Sequence, residues 1–84
     1  MTSIIPNIFH SIDNLQFYTV TADNIDEIPQ DSSGFKLGYG IINNDAIICF
    51  SVRWIAMQMK ITASHVNMRS CYGANGWTEW EAVT

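Results

Sequence analysis

Two carboxylates, Glu79 and Glu81, stand two positions apart near the end of the 84-residue chain. On a strand that spacing puts both on one face, roughly 7 Å apart. Glycoside hydrolysis by paired carboxyl groups needs about 5–10 Å between them, so the distance alone fits. The setting does not, because a short strand in so small a chain leaves no room for a deep cleft; two solvated acids are the expected reading. Ser, His and Asp are all present, but none lies in the strained strand-to-helix turn that exposes a nucleophile. His10 and His65 lack the spacing of a metal pair, and either would need a threefold axis bringing one histidine per chain together. Asp23, Asp26, Glu27 and Asp31 share one stretch, yet they do not follow the spaced calcium loop with its central Gly. Cys49 and Cys71 match neither a zinc spacing nor a Cys-x-x-Cys motif. They are expected as buried thiols rather than a disulfide. Met57, Met59 and Met68 read as core filler. No enzymatic activity, metal or cofactor is expected.

Binding chemistry is better supplied. Aromatic faces with amides and acids beside them are the usual equipment for carbohydrate, and Tyr18, Trp54, Tyr72, Trp77 and Trp80 provide the faces. Arg69 precedes the Asn75-Gly76 turn and lies within reach of an indole. Such a stack contributes about 0.5–1 kcal/mol when exposed and about 2 kcal/mol when desolvated. Gln58, one strand further, offers two amide donors and a carbonyl. A Gln58–Arg69–Trp cluster clamping the C-terminal hairpin is therefore expected, with ligand contact as its second use. Trp77 and Trp80 are three positions apart, which on a regular strand points them to opposite faces. The candidate binding residues are Trp54, Gln58, Arg69, Tyr72, Trp77 and Trp80.

The elements that must position these residues are mostly strands. Residues 17–21 are aromatic and β-branched. Residues 22–34 are polar, hold four of the eight acids and read as a long loop. Phe35, Leu37, Tyr39 and Ile41 alternate with Lys36, Gly38, Gly40 and Ile42, a half-buried strand. Asn43-Asn44-Asp45 is a turn. Residues 46–52 include Ala46-Ile47-Ile48-Cys49-Phe50, a run buried on both sides, with a neighbouring subunit expected against Ile47 and Cys49. Ile55, Met57, Met59 and Ile61 alternate cleanly, residues 62–64 connect, and 65–72 form the next strand. A primed hairpin turn is expected at Asn75-Gly76, then a last strand over 77–83. Residues 1–15 place Ile4, Ile5, Ile8, Phe9 and Ile12 at helical spacing, with Pro6 near the first turn. They are expected as an arm that docks on its own domain or on a neighbour. The fold class is mostly β: a small antiparallel sheet or sandwich of about six strands on residues 16–84, preceded by the 1–15 arm.

Composition narrows the function. The chain is 48% apolar and only 14% charged, with net charge −4, against a usual charged fraction of about 25%. Lys36, Arg53, Lys60 and Arg69 are scattered and form no phosphate-neutralising stripe, which argues against nucleic acid and against an anionic membrane surface. No apolar run reaches the roughly 18 residues of a membrane span, and the first ten residues lack a signal-peptide pattern. Synthesis and folding in a cytoplasm are expected. A chain of this length buries only about 60% of its unfolded surface, and so little charge suggests that other copies cover part of it.

The last thirty residues carry a resemblance. Gln58 on one strand, Arg69 near the end of the next, the Asn75-Gly76 turn and the closing Trp77-Thr78-Glu79-Trp80 resemble the pyocin-knob type of domain found in tail fibres of bacteriophages and phage-derived bacteriocins. Leu15-Gln16-Phe17-Tyr18-Thr19-Val20 is similar to the family's opening Gly-Phe-Tyr strand, with Gln16 in place of the usual Gly. The resemblance spans residues 13–83. It implies a homotrimeric fibre domain in a virion, assembled in the bacterial host cytoplasm beside other virion proteins. Its target would be a bacterial surface glycan or protein receptor. The alternative it implies is a purely structural virion part, such as a head fibre, baseplate piece or trimerising cap.

Overall fold

The computed structural model describes residues 15–29 and 35–84; the 1–15 arm lies almost wholly outside them. The strands are β1 (Gln16–Thr19), β2 (Phe35–Ile42), β3 (Asp45–Val52), β4 (Ile55–Ile61), β5 (Val66–Tyr72) and β6 (Glu81–Ala82), with one 3-10 turn at Gly73–Asn75. All six form a single sheet in chain order. β1 pairs parallel to β2, and every other neighbour is antiparallel. The mostly β class is therefore as expected. The sheet is mixed, and the described residues form one layer of strands.

Turn chemistry sets the register. Asn43 and Asn44 both have positive φ, 53° and 69°, as a two-residue primed hairpin demands and as Asn tolerates. Arg53 at φ 56° serves the turn between β3 and β4, where Val52 faces Ile55. Between β4 and β5 the Thr62 hydroxyl accepts from the amides of Ser64 and His65 and donates to the His65 carbonyl. After β5 the chain departs from expectation. Gly73–Asn75 is a 3-10 turn in place of a primed hairpin. The positive φ falls on Gly73 and Gly76, 55° and 77°, so the turn is set by the two glycines flanking Ala74-Asn75.

A parallel pair needs a long crossover, and the 20–34 connection supplies it. Its described part, residues 20–29, lies over one face of the sheet. Val20, Ile47 and Cys49 make the buried core there, and Tyr18, Ile25, Ile42 and Trp77 pack against it. Gly38 and Gly40 admit the crossover: a Cβ on Gly38 would collide with the Tyr18 ring, and one on Gly40 with the Val20 carbonyl oxygen. Ser51, Ala56, Gln58 and Cys71 are buried on the same side.

The opposite face stays open. Phe17, Tyr39, Ile41, Ile48, Phe50, Ile55, Met57, Ile61 and Tyr72 all lie on it and are all exposed. Strict period-two alternation thus runs through β3. Ile47 and Cys49, expected against a neighbour, are 1% and 4% exposed within their own subunit, while Ile48 and Phe50 are left outside. The expected two-sided burial of this strand is corrected accordingly.

Candidate functional site

Gln58 on β4 and Arg69 on β5 are direct cross-strand partners, and both point to the covered face. Gln58 is 2% exposed. Its Nε2 donates to the Ile25 carbonyl at 2.7 Å and lies 3.8 Å from Cys49 Sγ. Arg69 Nε donates to Gln58 Oε1 at 2.7 Å. Its Nη2 donates to the Ile25 carbonyl at 3.1 Å and to Asp26 Oδ1 at 2.8 Å. One carbonyl of the crossover is thus held by two side chains from the sheet. The Asp26 carboxylate is mostly in solvent, so this ion pair contributes only about 0.2–1 kcal/mol.

Both tryptophans meet the same guanidinium: Arg69 Cζ is 4.6 Å from the Trp77 ring and 4.6 Å from the Trp80 ring. The expected placement on opposite faces is corrected, and the cause is local. Trp77 bridges to Cys71. The β6 register sets Glu81 opposite Met68, which brings Trp80 opposite Arg69. Three residue steps on one chain therefore span two on the other. One extra residue is bulged out, and a bulge reverses the alternation. Thr78 makes the bulge: its amide donates to the Ser70 carbonyl, and its hydroxyl, in place of a backbone carbonyl, accepts from the Ser70 amide. The expected last strand over 77–83 accordingly shrinks to Glu81–Ala82. Trp77 Nε1 lies 3.3 Å from the carbonyls of Asp26 and of Glu27. Lys60 Nζ sits 4.4 Å from the Trp80 ring centre.

Beside the cluster is a cleft of about 240 Å³ between β1–β3 and the 24–29 segment, with Gln16, Tyr18, Asn24, Glu27, Lys36 and Arg53 in its lining. Burial pushes the Tyr18 phenol well above its ordinary value, and its hydrogen bond with Cys49 adds to the shift. Burial likewise raises the Cys71 thiol, against the pull of Arg69. Both cysteines are free and buried.

Four of the six candidate residues, Gln58, Arg69, Trp77 and Trp80, come together. Trp54 lies at the β3–β4 turn, under the Arg53 guanidinium at 4.4 Å, and its carbonyl accepts from the Gly73 amide. Tyr72 is on the open face, 61% exposed. Glu79 and Glu81 are exposed. His65 is exposed too, with Nδ1 2.8 Å from the Thr84 carbonyl. Among the described residues no group of three His, Cys, Asp or Glu could hold a metal ion. His10 and Asp31 lie outside the described residues. Ile25, Asp26 and Lys60 belong to the cluster without having been candidates. The first two arrive from more than thirty positions away, and only the parallel crossover reveals them.

No protein-family model, curated protein or solved structure matches this chain.

Proposed function

We propose that this chain is a non-enzymatic knob of a phage-type tail fibre, a homotrimer that adheres to a glycan or receptor on the bacterial surface. The supporting observation is the Gln58–Arg69–Trp77–Trp80 cluster. Four of the residues that carry the resemblance converge on one centre and pin the 24–27 segment, which forms one wall of the cleft. In this reading the cluster is the clamp and the cleft is the contact. Tyr18 offers an aromatic surface there, while Gln16, Asn24, Glu27 and Lys36 offer amides and charges, a concave mixture that suits a small polar ligand such as a saccharide unit.

Glycan-array and whole-cell binding test the reading. Glu27→Ala and Lys36→Ala, both outside the clamp, are expected to weaken binding at least tenfold with an unchanged melting temperature. Binding that survives both would contradict it.

A purely structural virion part is the second reading. What favours it is that, among the described residues, no buried side-chain N or O lacks a partner, so the clamp leaves no buried polar group waiting for a ligand. Absence of binding to any host cell, with intact incorporation into particles, would select it.

A further inference from the structure

We infer that the open face of β2–β5 is the surface through which copies of this chain join, three sheets closing about a common axis with that face inward. The cross-strand register sets Phe35, Leu37, Tyr39 and Ile41 beside Ala46, Ile48, Phe50 and Val52. Next come Ile55, Met57, Met59 and Ile61, then Val66, Met68, Ser70 and Tyr72. Apart from the tyrosine hydroxyls, Ser70 is the one polar side chain in that array, and none is charged. The covered face, by contrast, carries Lys36, Lys60, Arg69 and Asp45.

Size identifies the occupant. Four strands about 4.8 Å apart, each showing four side chains at double the residue rise, make a patch of roughly 19 by 25 Å, or about 500 Å² in projection. The largest patch a soluble monomer leaves open is about 300–600 Å², and it is commonly functional. Residues 1–14 of the same chain are too few to cover it. As one helix of about 21 by 10 Å or one strand of about 46 by 4.8 Å they would cover roughly 200 Å², less than half the patch. A second sheet of the same kind matches it in extent, and its corrugated surface approaches the roughly 800 Å² per partner of a stable interface.

Geometry allows three. Stacked sheets lie about 10 Å apart, each about 5 Å from the midline. A triangle with sides of about 19 Å has its sides about 5.5 Å from its centre, so three four-stranded sheets enclose an interior their own side chains fill. The threefold count rests on the fibre reading above; the choice of face does not.

Light scattering on the purified full chain tests this, with Ile41→Lys and Ile48→Lys as variants. Ile41 is 76% exposed, so a lysine there disturbs little of the subunit's own packing, and circular dichroism checks that each variant keeps its sheet. The expected result is about three times 9.5 kDa for the natural sequence and a folded single-chain mass for both variants. A 9.5 kDa natural chain, or a multimer that both folded variants retain, would overturn the assignment. So would NMR contacts placing residues 1–14 on Ile48 and Phe50, or a monomer that floats with phosphatidylcholine vesicles. A twofold mass dispersed by Ile48→Lys would overturn the three-sheet closure. Cell binding by Glu27→Ala and Lys36→Ala is read separately, so loss of the adhesion reading leaves the assembly result standing.

Discussion

Arg69 is held by four kinds of partner at once: an amide oxygen, a backbone carbonyl, a carboxylate and two indole faces. Its removal would strand the Gln58 carbonyl oxygen in a buried site, which costs about 1–3 kcal/mol, and would take away ring contacts of about 0.5–2 kcal/mol each. Arg69→Ala is therefore expected to lose at least about 2 kcal/mol in urea unfolding at fixed protein concentration. Asp26→Ala should lose less than about 1 kcal/mol. Comparable losses for the two variants would show that the exposed ion pair, rather than the clamp, holds the crossover. Tyr18 adds a pH dependence. Its folded-state value is raised, so the unfolded chain releases the phenol proton first as pH rises. The contribution is complete below the ordinary tyrosine value of about 10 and is lost above it. Natural protein should lose stability above about pH 10 more steeply than Tyr18→Phe, as read by urea midpoints across that range. The buried thiols should react slowly with Ellman's reagent in the folded chain and rapidly in denaturant.

At the scale of elements, alternation located β2, β3, β4 and β5 closely because each long strand has one face in the core and the other outside it. It could not say which side of β3 was which. Ala46-Ile47-Ile48-Cys49-Phe50 is apolar at every position, and only the crossover over Val20 makes the Ile47–Cys49 side internal. The parallel placement of β1 was illegible because nothing local in Gln16–Thr19 distinguishes the two directions. The Trp77–Trp80 bulge was missed for a similar reason. Regular alternation predicts opposite faces, and the Thr78 hydroxyl that breaks it looks like any threonine in a strand. Of the site, the meeting of Gln58 with Arg69 was legible in the register, whereas Ile25 and Asp26 depended on a long-range crossover. Two substitutions probe these elements. Asn44→Gly should keep or slightly raise stability, while Asn44→Val should lose about 1–2 kcal/mol at a position with φ 69°. Gly40→Ala pushes a methyl group at the Val20 carbonyl oxygen and should cost about 1–3 kcal/mol. Both are read by thermal melts at matched concentration.

At the scale of the molecule, one sheet has two unlike faces. The polar-aromatic clamp and its cleft occupy the side covered by the 20–29 segment. The other side offers apolar surface that the described residues leave exposed. On the proposed function, adhesion belongs to the first side and assembly to the second, and variants on one face are expected to leave the other property intact. The low charge of the chain follows from the same division, since the β2–β5 part of the open face carries none. Hydroxyl-radical footprinting with mass spectrometry reads the open face residue by residue. Tyr39, Phe50, Met57 and Met68 in the natural chain should be protected severalfold relative to the folded Ile48→Lys variant, and equal labelling in the two would contradict a face shared between copies.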